Sequence, residues 1–182
     1  MILLYSSGEA DFNNNGLGAL SDAISCEVTE ERNGTFELQM EYPITGIHYQ
    51  DIKPRRIITA KPNPYGDIQP FRIYRITRPM NGKVKVYAQH ISYDLTGVTV
   101  APFTAGSAVG AFMALENNAT SNNLFSFQTD IQSVGTMTVS APASARSLLG
   151  GQQGSILDIY GGEYEWDRYT VCLLYTSPSP RD

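Results

Sequence analysis

Two adjoining segments that alternate between apolar and polar residues constrain the fold of this chain more than any other feature. They lie within residues 71–95, where the sequence reads FRIYRITRPMNGKVKVYAQHISYDL. Period-two alternation indicates half-buried strands, and Asn81-Gly82 between them favours the positive φ angles of a tight turn. The segment therefore predicts a β-hairpin that turns at residues 79–82.

A second hairpin is predicted nearer the start of the chain. Residues 23–31 alternate with Ile24, Cys26 and Val28 on one face, Asn33-Gly34 supplies a turn, and residues 36–42 return with apolar residues at every second position. Further short strands are predicted at residues 2–5 and 55–61. Residues 1–95 thus hold about six strands without a helical pattern, which indicates a small antiparallel barrel or sandwich.

The pattern changes after Leu95. Ser107 can cap a helix that extends to about Ala119, with Val109, Phe112, Met113 and Leu115 apolar at helical spacing. Helical turns are predicted at residues 144–149 and 155–160, each ended by a glycine pair, and strands at 125–130 and 163–167. We therefore predict a mainly β chain with an α+β second part: residues 1–97 as a β-barrel-like domain and residues 98–171 as the truncated start of a second, α+β domain.

Residues 172–182 are interpreted separately. Their sequence, CLLYTSPSPRD, can be translated back, codon by codon, into a widely used transposase sequencing adapter. Such processing scars are excluded from fold reasoning. We expect the natural sequence in this chain to end near Val171, where it is cut off inside a longer gene.

Charge is divided sharply along the chain although the net charge is only -5. Residues 1–52 hold nine acidic side chains and one basic side chain, whereas residues 53–85 hold nine basic and one acidic. Neighbouring blocks of opposite sign predict strands that pair with each other, or a surface that meets a copy of itself. The basic block with its tyrosines (Arg72, Arg75, Arg78, Lys83 and Lys85 near Tyr74 and Tyr87) could form a nucleic-acid patch, but the matching acidic block favours ion pairing.

Composition excludes several classes of protein. Hydrophobic residues make up 42% of the chain, which is typical of globular proteins. No apolar run approaches the ~20 residues of a membrane span, and the start of the chain lacks the features of a signal peptide. Without residues 172–182 the one cysteine is Cys26, so no internal disulfide is expected.

Two patterns of polar residues resemble catalytic sets. His90, Ser92 and Asp94 form an His-x-Ser-x-Asp run, but on one strand their side chains would point the same way instead of converging. The carboxylates of Glu163, Glu165 and Asp167 also alternate along one predicted strand, opposite Tyr164 and Trp166. Strand polarity explains both patterns better than catalysis.

Two glycine-rich segments resemble nucleotide loops only superficially. Residues 15–18 (NGLG) lack the third glycine of a dinucleotide loop, and residues 150–155 (GGQQGS) lack the lysine of a phosphate loop. The two histidines, His48 and His90, lie in no metal-binding spacing. We predict no catalytic, cofactor-binding or metal-binding residue in this chain, and no cofactor.

Three longer stretches resemble the N-terminal region of phage minor structural proteins, the prophage tail endopeptidase or tail-associated lysin family. They are CEVTEERNGTFELQMEYP (Cys26–Pro43), RIITAKPNPYGDIQPFRIYRITRPMNGKVKVYAQHISYDL (Arg56–Leu95) and GSILDIYGGEYEWDRYTV (Gly154–Val171). The resemblance implies a baseplate hub: β-barrel-like domains that assemble as a trimeric ring at the tail tip of the virion, after synthesis in the host cytoplasm. It also implies contacts with the distal tail and tape-measure proteins, and a channel through which DNA passes.

In this family any peptidase, wall hydrolase or receptor-binding activity lies further towards the C-terminus. We therefore expect no enzymatic activity in this fragment and leave the full-length protein open. Two alternatives to a structural role remain at this point. One is a cell-wall-degrading tail endopeptidase that acts through His90–Asp94 or Glu163 and Glu165, and the other is a receptor- or carbohydrate-binding β module that uses exposed Tyr and Trp side chains.

Overall fold

The computed structural model describes residues 1–176, and these residues form a mainly β chain with 40% strand and 17% helix, as predicted. Two units are distinguished: the first comprises Met1–Ile91, and the second begins at Ser92. The domain boundary predicted from composition, after residue 97, stays a prediction because compactness alone does not define a domain.

The first unit is one seven-stranded antiparallel sheet that curls into a half-barrel. In chain order the strands are β1 (Leu3–Tyr5), β2 (Gly18–Ala19), β3 (Ser25–Glu30), β4 (Phe36–Pro43), β5 (Ile57–Ala60), β6 (Gln69–Ile76) and β7 (Lys83–His90). The strand order across the sheet is β2-β1-β5-β6-β7-β4-β3. A short 3-10 helix, Tyr49–Asp51, follows β4.

Both predicted hairpins are confirmed. β6 and β7 pair antiparallel, and their turn has positive φ at Asn81 (53°) and Gly82 (74°), the backbone conformation that an Asn-Gly turn supplies at low cost. β3 and β4 also pair antiparallel, with positive φ at Asn33 (51°). The turn residues therefore fixed these two strand connections locally.

Alternation in the central strands sorts side chains onto two faces of the sheet. Along β7, Val84, Val86 and Ala88 are buried and Lys83, Lys85 and Tyr87 are half-buried. β4 lies beside β7 in a register that pairs Leu38 with Ala88 and Met40 with Val86. Apolar residues therefore oppose apolar residues, and the core of the unit lies on this inner face.

The edge strand β3 departs from the predicted burial. Ile24, just before the strand, is 56% exposed, and Cys26 and Val28 are only half-buried. Among residues 1–176, β3 pairs with β4 alone and is the last strand on that side of the sheet. Its alternation correctly predicted a strand, but the burial of a strand face depends on what covers it.

The second unit combines short helices with small sheets. After a 3-10 helix, Ile91–Gly97, the elements are β8 (Thr99–Val100), β9 (Phe103–Ser107), α1 (Ala108–Asn117), β10 (Ser126–Thr129), β11 (Val134–Val139), β12 (Ala143–Ser144), α2 (Ala145–Leu149), α3 (Ile156–Tyr160), β13 (Glu163–Asp167) and β14 (Thr170–Leu174). β13, β14 and β10 form a three-stranded sheet, whereas β9 pairs with β11 and β8 with β12.

The helix α1 begins where its cap was predicted, but only part of its predicted apolar pattern is buried. The Ser107 hydroxyl accepts a hydrogen bond from the Gly110 amide at 3.1 Å. Of the four apolar residues in the predicted pattern, Phe112 and Leu115 are buried, whereas Val109 is 40% and Met113 58% exposed. The buried residues of α1 follow one another at spacings of three, one and three residues, which is a helical stripe. They are Ala108, Ala111, Phe112 and Leu115.

The short helices α2 and α3 form where helical turns were predicted, and the structure adds that Ser144 and Ser155 cap them. α3 ends at Gly161 and Gly162, which have positive φ of 70° and 100°. At Gly162 the space is also closed, because an added Cβ would lie 2.6 Å from Ile131 Cδ1. This glycine therefore serves both the turn and the packing beneath it.

The last strand, β14, pairs antiparallel with β13 and parallel with β10. It includes Cys172–Leu174, the first part of the segment interpreted as an adapter, and Val171 and Leu173 are buried in the core of the unit. Residues 177–182 of that segment lie outside the described residues. The interpretation of residues 172–182 as an adapter stays a prediction.

Candidate interaction surface

The outer face of the first unit's sheet carries the charged side chains that the sequence divided into two blocks. Glu41 of β4 is the register partner of Lys85 of β7. The Lys83 Nζ lies 2.6 Å from Glu41 Oε2, and the Lys85 Nζ lies 3.7 Å from Glu41 Oε1. The hydrogen bond from Lys83 holds the pKa of the Glu41 carboxyl below its ordinary value.

A second contact joins the acidic and basic blocks beside the 3-10 helix. Asp51 Oδ1 lies 3.2 Å from the Arg56 guanidinium, and Asp51 Oδ2 lies 3.2 Å from His48 Nδ1. Hydrogen bonds from His48 and then Arg56 lower the pKa of Asp51. The predicted pairing of the two blocks is confirmed at Glu41 and Asp51, and both pairs lie within one chain.

Most residues of the predicted basic patch make contacts inside the first unit. Arg72 donates hydrogen bonds to the Ser7 and Arg55 carbonyl oxygens, at 2.9 and 2.8 Å. The Arg75 guanidinium lies 5.0 Å from the centre of the Tyr87 ring, within the range of a cation–π contact. With Lys83 and Lys85 beside Glu41, four of the five basic residues of the patch make contacts within the unit, so ion pairing describes this patch better than a nucleic-acid site does.

A β-bulge at Tyr74 reshapes this face. Ile73 pairs with Ala88 and Arg75 with Tyr87, which leaves Tyr74 as an extra residue in β6. Tyr74 is 48% exposed, and its ring centre lies 6.4 Å from that of Tyr87. The bulge thus places two tyrosines and an arginine together on the outer face, a composition that is enriched at protein interfaces.

The His-x-Ser-x-Asp run does not lie on one strand. His90 ends β7, fully buried, stacked on Phe36 with ring centres 4.4 Å apart, and its Nε2 lies 3.2 Å from Gln69 Oε1. Ser92 and Asp94 belong to the following 3-10 helix. The three residues therefore belong to two different elements, and the assumption that they share one strand was wrong.

The carboxylates of β13 alternate as predicted. Glu165 is exposed, whereas Tyr164 on the opposite face is buried and donates a hydrogen bond to the Leu149 carbonyl oxygen at 2.7 Å. Burial raises the pKa of Tyr164. Asp167 pairs with the adjacent Arg168 at 2.9 Å. This strand has a polar face and a core face, as expected of a sheet covered on one side.

An arginine cluster in the second unit had no signal in the sequence. The Arg146 guanidinium of α2 lies 4.4 Å from the Tyr93 ring centre and 4.9 Å from the Trp166 ring, and it donates to Ser92 Oγ at 3.1 Å. Burial lowers the pKa of Arg146. Residues 92–93, 146 and 166 come from three segments far apart in sequence, so only the tertiary fold brings them together.

Neither glycine-rich segment forms a phosphate site in the structure. In residues 150–155 the Gly154 amide donates to Asp158 Oδ2 at 2.7 Å, so a carboxylate occupies the place where a phosphate would bind. A shallow cavity of about 390 Å³ beside it has no basic lining residue. In residues 15–18 the Gly16 amide donates to the Asn14 side chain at 2.7 Å. Both segments are turns closed by their own side chains.

Residues 1–176 contain neither a candidate metal-binding group nor a candidate membrane-spanning helix. No group of three or more His, Cys, Asp or Glu side chains there could hold a metal ion. In the same residues, no helix has the length and apolar character needed to cross a membrane.

Comparison with known proteins gives a likeness in fold. No protein-family model matches the chain, and no curated protein matches its sequence. Among solved structures, the chain is similar to the prophage tail protein gp18 from Listeria monocytogenes EGD-e, with a TM-score of 0.69 and 14% sequence identity. The match covers 95% of this chain and 50% of that protein, so this chain spans about half the length of its structural neighbour.

Proposed function

We propose that this chain is a structural component of a bacteriophage or prophage tail, a baseplate hub that assembles into a ring at the tail tip. The observation that carries the proposal is the likeness in fold to a prophage tail protein over 95% of the chain. At 14% identity this likeness concerns the backbone, and it extends over both units instead of a single small motif.

The first unit has the surface that an assembly component needs. β3 and β2 are the edges of the half-barrel sheet, and an edge strand presents unpaired backbone groups that can join a second chain. Glu27 and Glu30 on β3 are exposed, and such charges protect an edge from indiscriminate pairing. A ring of copies would cover these edges.

The proposal includes partners and location. In the assembled tail the ring would dock the distal tail and tape-measure proteins and allow DNA to pass through its channel, and the protein would be found at the virion tail tip. Association of three copies is the form we propose.

The test of assembly is the mass of the protein in solution. Light scattering after size exclusion, on the protein expressed from the uninterrupted gene, should give the mass of three chains. A single-chain mass at every concentration would overturn the ring.

We further propose that residues 1–171 catalyse no reaction. This proposal is supported by His90, which packs between aromatic rings, and by Ser92, whose hydroxyl accepts a hydrogen bond from Arg146. Zymography on bacterial cell walls tests it. Clearing by this chain that disappears in His90→Ala or Glu165→Gln would contradict the proposal.

A further inference from the structure

One end of the first unit's sheet carries a group of exposed apolar side chains. β4 and β6 end there and β3 and β7 begin there, with Ser25, Glu41 and Lys85 as register partners in the last complete row. Contiguous exposed apolar groups mark interaction sites, whereas isolated ones do not. The exposed fractions are 56% for Ile24, 39% for Ile44, 84% for Ile47 and 70% for Met80.

Ile47 protrudes from a loop that its neighbours hold in place. Its amide donates to Asp22 Oδ2 at 2.9 Å, and the next amide, of His48, donates to the Tyr42 hydroxyl at 3.3 Å. Gly46 packs so closely on Tyr42 that an added Cβ would lie 2.4 Å from the ring. A contact made by a fixed loop loses little conformational entropy on binding. We call Ile47 with the exposed carboxylate of Asp22 the Ile47 knob.

A pocket of about 330 Å³ lies at the neighbouring β6–β7 turn. Its lining is mainly apolar, although three of its lining residues, Arg78, Lys83 and Lys85, are basic. Lysine and arginine side chains can line an apolar recess with their aliphatic parts. We call this the Met80 pocket. It is lined by Thr77, Arg78, Pro79, Met80, Lys83 and Lys85.

We propose that the Ile47 knob of one copy of this chain inserts into the Met80 pocket of a second copy. An exposed branched aliphatic side chain meets an apolar recess, and Asp22 of one copy faces Arg78 of the other. Complementary charges of this kind favour the correct partner and orientation.

A second copy is the occupant that the chain itself supplies. The knob lies in the acidic block of residues 1–52 and the pocket in the basic block of residues 53–85. Two unlike surfaces on one chain can join copies repeatedly, and such contacts close into a ring when the rotation permits. The inference rests on the proposed assembly and names the surfaces through which it occurs.

Cysteine pairs across two copies test the contact. Ile47→Cys and Met80→Cys are prepared as separate proteins, mixed, and oxidised mildly, and the products are separated on a non-reducing gel. The native thiols react slowly, because burial raises the pKa of Cys26 to about 11 and also raises that of Cys172. Tyr65→Cys, at a side chain that is 98% exposed, is mixed with Met80→Cys as the matched control.

We expect a disulfide-linked dimer from the mixture of Ile47→Cys and Met80→Cys and its loss in the control mixture. If light scattering shows an oligomer but the two mixtures cross-link equally, the knob and pocket are wrong while assembly stands. If the dimer forms only between two copies of Ile47→Cys, a different contact joins the chains, and the inference is also overturned. A monomer at every concentration contradicts the assembly proposal itself.

Discussion

The two units of this chain are stabilised in different ways. The first is one continuous sheet, in which Leu4, Ile58, Phe71 and His90 are register partners across four strands. In the second, the widest sheet that the described residues form has three strands, and its core is assembled from helices and strands together. A single register therefore determines most of the first unit, whereas the second depends on caps, glycine turns and individual contacts.

The largest loss of stability is expected from a substitution in the row of register partners that includes Phe71. Phe71→Ala removes a fully buried ring that packs edge-on against Phe36, with ring centres 5.3 Å apart, and should cost about 3–5 kcal/mol of unfolding free energy. Phe112→Ala in the second unit removes a ring that is 3% exposed and is tilted against the partly buried Phe127. Chemical denaturation followed by circular dichroism should rank Phe71→Ala as the more damaging change.

Tyr65→Ala is the control for both substitutions, because Tyr65 is 98% exposed and its loss should change stability by less than about 0.5 kcal/mol. If Phe112→Ala were as costly as Phe71→Ala, the continuous sheet would confer no special stability on the first unit.

Glycine substitutions sharpen the comparison in the second unit. Gly161→Ala meets open space but has positive φ, so it should cost about 1–2 kcal/mol in backbone strain. Gly162→Ala adds steric conflict with Ile131 and the Leu174 carbonyl oxygen and should cost more. Thermal unfolding of the two variants measures the difference, with Gly97→Ala, which meets open space without positive φ, as the control. Equal melting temperatures for the Gly161 and Gly162 variants would contradict the packing described around Ile131.

A smaller effect is expected at the arginine cluster. Arg146→Lys keeps the charge but loses the planar stacking on Tyr93 and Trp166, which should cost about 1 kcal/mol. Trp166 is the chain's one tryptophan, so its fluorescence should also change. Arg168→Lys, at an arginine that pairs with the adjacent Asp167, is the control. An unchanged Trp166 spectrum in Arg146→Lys would mean that the stacking is absent.

The smallest effect concerns the ion pair on the outer face of the first sheet. The pKa of Glu41 is lowered in the folded state, so its contribution to stability is present above the unfolded pKa of about 4.3 and is lost as the pH falls through the folded pKa. Glu41→Gln should therefore flatten the decline of stability at acidic pH. Denaturation midpoints measured between neutral and acidic pH test this, and parallel curves for the two proteins would show that Glu41 makes no such contribution.

The difference between the units also explains how much the sequence could predict. Asn33-Gly34 and Asn81-Gly82 specify their hairpins locally, and the alternation of β4 and β7 specifies which residues face the core. Ser107 likewise marked the start of α1 in the sequence. β9 and β11 were missed, because each is a short strand whose one partner lies far along the chain, and neither has a tight turn beside it.

The candidate surface was predictable only in its charges. The acidic and basic blocks indicated pairing, and Glu41 with Lys83 and Lys85 confirms it. The bulge at Tyr74, the exposure of Ile47 and the pocket at Met80 depend on strand register and loop packing, which no local pattern encodes. The Arg146 cluster could not be predicted either, because it forms only through tertiary packing.

The central claim is that this chain belongs to a phage tail, and its most direct test is to locate it in the particle. Antibodies raised against residues 1–171 and coupled to gold can be applied to phage particles that carry the uninterrupted gene and viewed by electron microscopy. We predict gold at one end of the tail, at the tip. Gold on the head, or intact particles whose tails lack the protein, would contradict the account.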